Sequence, residues 1–214
     1  PGTLHMLGYL LDPGQPAFEK ALALLREGRD DRNRKILERL NRIGLPLTWE
    51  EVAAFVKEDV VGRPHIAQAM IARGYVKTHE EAFEKYLAKG LPAYVDRYRM
   101  TPLDSIRLIR EAGGVAVLAH PSTLELGFPR LKKAIAEWAE AGLGGIEIYY
   151  SEHTSAQQSQ YLQIARDLNL VATGGSDFHG EVNPDIKLGR GFGQLKVPDE
   201  LLEPLYARAG RSLA

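Results

Sequence analysis

Three segments carry side chains that could hold a metal ion. In Gly175-Ser176-Asp177-Phe178-His179-Gly180 a carboxylate and an imidazole stand two residues apart. The apolar run 170–173 before it reads as a short buried strand. The glycines stop that strand and let the backbone approach whatever lies at its end. A hard carboxylate oxygen and an imidazole nitrogen at one strand end can reach the same cation. Alone, Asp-x-His reads more simply as a turn with a capping Asp and a satisfied His. It does not stand alone, because Leu118-Ala119-His120-Pro121 has the same build: a buried run ending in a His. His5 lies inside the alternating run 3–9, where the ordinary reading is a half-buried strand residue.

Other polar residues suggest anion binding. Val61-Gly62-Arg63-Pro64-His65 reads as a helix start, and a helix N-terminus beside a guanidinium suits a phosphate. The plain alternative is a solvated Arg63 and a His65 that caps the helix. Arg29, Arg32, Asn33 and Arg34 fall on one helix, with Arg29 three residues from Arg32 and four from Asn33, so these share a face. Such a run is usually just solvated. His153 follows a strand end and reads equally as a pocket or a surface residue, whereas His79 lies within a capping box and reads as structural. Tyr94 and Tyr150 read as base-stacking platforms or as core aromatics. Glu147 alternates with Ile146 and Ile148, so it faces the barrel interior and needs a partner, an Arg or a His lying one layer behind the metal ligands.

The elements that must position these groups follow from periodicity. Residues 3–11 read as a strand closed by Asp12-Pro13-Gly14. From 15 to 95 the texture is helical: a long helix over 16–43, capping boxes opening at Thr48 and Thr78, and stops at Gly44, Gly74 and Gly90. From 101 onward, helices 102–112, 130–141 and 155–168 each feed a short apolar strand, at 115–119, 145–149 and 170–173. A last helix opens near Pro198. Alternation of this kind predicts a parallel α/β sheet or barrel. Ligands in such folds collect at the carboxyl ends of the strands, where His120, Tyr149, Tyr150, Asp177 and His179 fall. The predicted organisation is an α/β portion over 1–14 and 96–214, interrupted by a helical insertion over 15–95.

Composition narrows the field. The chain has 214 residues and a formal net charge of -1, so no global field points to nucleic acid or membrane. It has no cysteine. That excludes thiolate zinc sites and a cysteine nucleophile, and it fits a reducing, cytoplasmic setting. No apolar run reaches membrane-spanning length and no signal peptide is visible.

Ala119-His120-Pro121, the Gly175-Ser176-Asp177-Phe178-His179 run and the strand bearing His5 together resemble the PHP (polymerase and histidinol phosphatase) domain of the amidohydrolase superfamily. Gly62-Arg63-Pro64-His65-Ile66-Ala67, the helix over 83–90 and Pro92-Ala93-Tyr94-Val95 resemble the subgroup with a helical insertion. The resemblance spans essentially the whole chain. It implies a distorted (β/α)7 TIM-like barrel with the insertion over 15–95 capping the active site. It implies a metal-dependent phosphoesterase that hydrolyses nucleoside 3′,5′-bisphosphates or trims short RNA or DNA from the 5′ end. By the same resemblance His5, His120, Asp177 and His179 are ligands of two or three divalent ions, manganese first, with iron or zinc as alternatives, and His120 and Asp177 are essential to the chemistry. Arg63 and His65 become phosphate contacts; Arg29, Asn33 and His153 are further substrate contacts.

The family opens with a His-x-His strand, followed by an Asp, a His and a Glu on the next two strands. This sequence starts at Pro1, where the family's fourth strand would be. A complete multinuclear site is therefore not expected from this chain alone: the missing ligands come from another fragment or are absent, and the chain by itself is expected to be inactive. Two other readings stay open. One is a phosphatase of a small non-nucleotide phosphomonoester. The other is a metal-free PHP-like module that binds nucleic acid or a partner without chemistry.

Overall fold

The computed structural model describes residues 2–56, 61–96, 98–180, 183 and 185–213. The chain divides into two compact units, one formed by Pro1–Phe18 with Met100–Ala214, the other by Glu19–Arg99.

The first unit is mixed α/β. Four strands, β1 (Met6–Tyr9), β2 (Val115–Leu118), β3 (Gly145–Tyr150) and β4 (Val171–Gly175), lie side by side in that order. Helix α1 (Pro16–Arg42) starts here and carries the chain into the second unit. Helices α5 (Pro102–Glu111), α6 (Phe128–Glu140) and α7 (Ser155–Asp167) precede β2, β3 and β4, and α8 (Leu202–Arg208) closes the chain. The reasons are local. Thr101, Thr154 and, in the other unit, Thr48 each accept a hydrogen bond from the third helical N–H, supplying one of the four donors that a helix start leaves bare. Leu131 and Ile135 of α6 lie one turn apart and are both buried, with Ile106, Leu118, Ile146, Ile148 and Ile164 in the same core. Each such side chain stabilises the fold by roughly 1.5–3 kcal/mol.

One strand departs from the expected parallel arrangement. β2, β3 and β4 run parallel, but β1 is antiparallel to β2, with Met6 opposite Leu118 and Tyr9 opposite Val115. The right-handed crossover rule governs strands joined directly by a helix. The whole of residues 19–99 separates β1 from α5, so the rule does not constrain β1. The described strands form an open sheet of four.

The second unit is helical: most of α1, then α2 (Trp49–Ala53), α3 (Arg63–Ala72) and α4 (His79–Ala82), the last continuing into a π-turn over Phe83–Leu87. Its core gathers Ile36, Leu40, Val52, Ile66, Met70 and Leu87. The capping box expected at Thr78 is half formed. Thr78 accepts from the Glu81 N–H, but Glu81 takes the N–H of Lys77 rather than that of Thr78. No helix among the described residues is long and apolar enough to cross a membrane.

Candidate metal centre

The antiparallel direction of β1 sets the geometry of the site. Because Met6 pairs with Leu118, the residue before β1 meets the residues just after β2. The ladder runs one step further, with the Ala119 N–H donating to the His5 carbonyl at 3.1 Å, and Thr3 N–H donates to Thr123 O at 2.8 Å. The result is a His5 Nδ1 to His120 Nε2 separation of 3.0 Å, with the rings edge to face. A parallel β1 would have carried His5 to the opposite end of the sheet.

His120 itself is held in an unusual backbone, φ 24° and ψ 66°, a region that costs a non-glycine residue about 1–3 kcal/mol. Pro121 follows at the first position of a 3-10 turn, Pro121–Leu124. Three contacts fix the conformation. The His120 N–H donates to Glu147 Oε2 at 2.8 Å, the Thr123 N–H donates to the His120 carbonyl at 3.0 Å, and the ring Nδ1 lies 2.9 Å from Thr123 Oγ1. The Thr123 hydroxyl points its own proton at the carbonyls of Thr3 and His120, 2.9 and 3.0 Å away. It therefore accepts from His120 Nδ1–H, and the network assigns the lone pair to His120 Nε2. That nitrogen faces His5. Thr123 was not a sequence candidate; its position three residues after His120, in the turn opened by Pro121, was the available signal.

Glu147 stands on β3 and is buried, 4% exposed. Burial raises its carboxyl to about 7; the His120 N–H opposes the shift and the charge of Asp177 adds to it. The sequence suggested an Arg or a His side chain as its partner. Its hydrogen-bond partner is instead the peptide N–H of His120.

β3 carries one extra residue against β4 between Glu147 and Tyr149, a bulge at the strand end of the kind common beside functional sites. The Ile148 carbonyl accepts from His153 Nδ1 at 2.8 Å. His153 is buried, burial lowers its pKa, and its Nε2 has no hydrogen-bond partner among the described residues. A neutral, enclosed imidazole of this kind is a poor phosphate ligand. Tyr150, 5% exposed, packs between the rings of His120 and His153, so it is a core aromatic and not a stacking platform.

Asp177 follows β4 by two residues, in the left-handed region, φ 56°. Its Oδ2 lies 3.4 Å from the Tyr150 hydroxyl, whose own pKa is raised by burial and by the nearby carboxylates of Glu152 and Asp177. His179 is exposed; its Nδ1 lies 2.8 Å from the Asp177 carbonyl and 3.6 Å from Asp177 Oδ1. His5, His120, Asp177 and His179 thus belong to one unit, but only His5 and His120 meet ring to ring. Among the described residues no three His, Asp or Glu side chains are gathered closely enough to cage an ion. The pair does fit a divalent cation in kind and spacing. Two imidazole nitrogens each about 2.1 Å from one ion stand about 3.0 Å apart at the right angle of an octahedral site and about 3.4 Å apart at the tetrahedral angle.

The proposed anion contacts lie in the helical unit. Asn33 is fully buried, so its expected substrate role is corrected: Oδ1 accepts from Arg32 Nε and Nη2 at 3.2 and 2.7 Å, and Nδ2 donates to the Val61 carbonyl at 2.9 Å. Arg63 donates to the Leu87 carbonyl at 3.0 Å and lies over the rings of Phe83 and Tyr94. His65 Nδ1 accepts from the Gly62 N–H at 3.0 Å, closing the start of α3. His79 contacts Gln68 Oε1 at 2.8 Å, a structural role. Arg34 stacks on Trp49. Arg29 is half-buried.

The comparisons with known proteins follow the same lines. No family model matches the chain. It is 34% identical over 187 residues to the 5′-3′ exoribonuclease Rnm of Salmonella typhimurium, an alignment covering 87% of this chain and 64% of that protein. It is 32% identical over 187 residues to the 3′,5′-nucleoside bisphosphate phosphatase of Chromobacterium violaceum, covering 86% of this chain and 66% of the relative. The chain thus spans just under two thirds of the length of these curated relatives. A crystal structure from Bifidobacterium adolescentis, provisionally named a metal-dependent phosphoesterase, superimposes with a TM-score of 0.76 at 30% identity, over 96% of this chain and 71% of that one. Shared sequence and shared fold over nearly all of its length place the chain in the PHP phosphoesterase family of the amidohydrolase superfamily.

Proposed function

We propose that this chain is the greater part of a metal-dependent phosphoesterase that hydrolyses phosphate esters of nucleotides or short oligonucleotides. The observation that carries the reading is the 3.0 Å approach of His5 Nδ1 to His120 Nε2 at the sheet edge where the parallel strands end. The named activities of the relatives, an exoribonuclease and a bisphosphate phosphatase, supply the substrate class.

In this proposal His5 and His120 hold a divalent ion, manganese first, in a site of two or three ions to which Asp177 and His179 also contribute. When bound, such ions supply a water of lowered pKa and neutralise charge on phosphoryl oxygens. The chain's own residues prepare that chemistry. Thr123 fixes the His120 tautomer so that Nε2 offers its lone pair. For His5 Nδ1 to serve the same ion, its proton must move to Nε2. Asp177 offers a carboxylate beside the exposed His179, on the open side of the site. The family's preceding His-x-His segment would supply the remaining ligands. Arg29 and, through guanidinium nitrogens with no hydrogen-bond partner among the described residues, Arg63 are the contacts for a second phosphate; the buried Asn33 is not one.

The test is phosphate release from a nucleoside 3′,5′-bisphosphate and from p-nitrophenyl phosphate, by this chain and by the full-length protein, in manganese. Turnover by the full-length protein that disappears with a chelator and returns with metal is the expected result. Oligonucleotide binding without turnover in manganese, zinc or iron, by the full-length protein, would overturn it in favour of a binding module.

A further inference from the structure

We propose that Glu147 is a positioning residue: its carboxylate grips the His120 peptide N–H, holds that residue in its left-handed backbone and so aims Nε2 at His5. The inference rests on the reading of His5 and His120 as a ligand pair.

Three independent features converge on the carboxylate. The first is its location. Ile146 and Ile148 on either side are fully buried, and Glu147 itself is enclosed. Among the described residues no Lys, Arg or His nitrogen forms an ion pair with it. A buried acid without a cation is costly, and an apolar residue of similar size would serve packing better. The second is its single strong contact. Glu147 Oε2 takes the N–H of His120 at 2.8 Å, the one residue of β2's edge whose backbone is strained. Strained backbone persists only where its surroundings over-determine it, and this hydrogen bond supplies that determination. The third is the space made for it. A Cβ on Gly175 would stand 2.6 Å from Glu147 Oε1, and within 4 Å it would meet only atoms of that carboxylate. Glycine at 175 leaves room for the acid in its gripping position.

The effect is on orientation. Backbone rotation at His120 would swing the ring away from His5 and break the Nδ1 contact with Thr123 together. Glu147 does not touch the ion or the substrate in this scheme. Outer partners of this sort typically alter metal affinity 10–100-fold.

Three substitutions separate this role from a merely structural one. Glu147→Gln keeps an acceptor oxygen. Glu147→Leu keeps the volume and removes the acceptor. Gly175→Ala leaves Glu147 in place but displaces its carboxylate. Zinc affinity, measured by competition with a chromophoric chelator, should stay within about threefold of the parent for Gln and fall about tenfold or more for Leu and for Gly175→Ala. The melting midpoint of Glu147→Leu should equal or exceed the parent's. In metal-free protein, 15N-histidine NMR should show a hydrogen-bonded imidazole pair in the parent and in Gln, and lose it in Leu. Leu retaining both zinc affinity and the paired signal, or Gln losing as much as Leu, overturns the proposal. If the parent takes up no zinc, the ligand reading fails, and the metal-free NMR comparison still decides whether Glu147 positions His120.

Discussion

His5 Nδ1 and His120 Nε2 stand 3.0 Å apart although 115 residues separate them in the chain. They meet because β1 enters the sheet antiparallel, which carries its first end to the edge where β2 finishes. If the two rings share one ion, their contributions to metal affinity are not independent. His5→Ala and His120→Ala should each weaken zinc binding at least tenfold. The double variant should lose far less than the product of the two single losses. A titration in which the losses multiply would mean that the rings bind separate ions.

Asp177 offers a second test. Its left-handed backbone is one that Asn tolerates well, so Asp177→Asn removes the charge without adding backbone strain. In the full-length protein, on the proposed function, turnover in manganese should fall about a hundredfold or more while the melting midpoint moves by only a few degrees. A large loss of stability instead would assign Asp177 to the fold.

The helical unit yields a prediction that reverses the reading of its charges. Asn33 bridges the buried Arg32 and the Val61 carbonyl. Asn33→Ala removes both contacts and takes the amide donor from the buried Val61 carbonyl, so it should cost about 1–3 kcal/mol in denaturant unfolding. His65→Ala, which bares the Gly62 N–H at the start of α3, should cost about 1 kcal/mol. If either residue serves substrate only, its variant unfolds with the parent's midpoint.

These corrections show where the sequence was legible. Thr48, Thr101 and Thr154 cap helices as local chemistry dictates, and the alternation of helices with apolar runs marks β2, β3 and β4, because such signals lie within a few residues. Asn33 was also readable: it precedes Ile36, Leu37 and Leu40 at helical spacing and so extends their buried stripe. The direction of β1 was not, since a four-residue strand carries no mark of its partner's polarity. Nor was the partner of Glu147. Side-chain partners leave residue types to find, whereas a peptide N–H belongs to every residue but proline, and only the fold selects which one is offered.

Glu147 also ties stability to pH. Burial holds its folded pKa at about 7, against an ordinary value of 4.5. Between those limits the folded protein keeps a proton that the unfolded chain has released. Stability contributed by this group is therefore complete below pH 4.5, falls as pH rises towards 7 and is level above it. The gap corresponds to about 3 kcal/mol at 1.36 kcal/mol per pH unit. Glu147→Gln has no such proton to lose. Unfolding free energies of parent and variant, measured from pH 4 to 8 with a chelator present, should diverge by about 3 kcal/mol, the parent losing ground as pH rises. Parallel curves would place the Glu147 carboxyl in an ordinary, solvated range. That result would remove the cost that makes an acid at this position need a function.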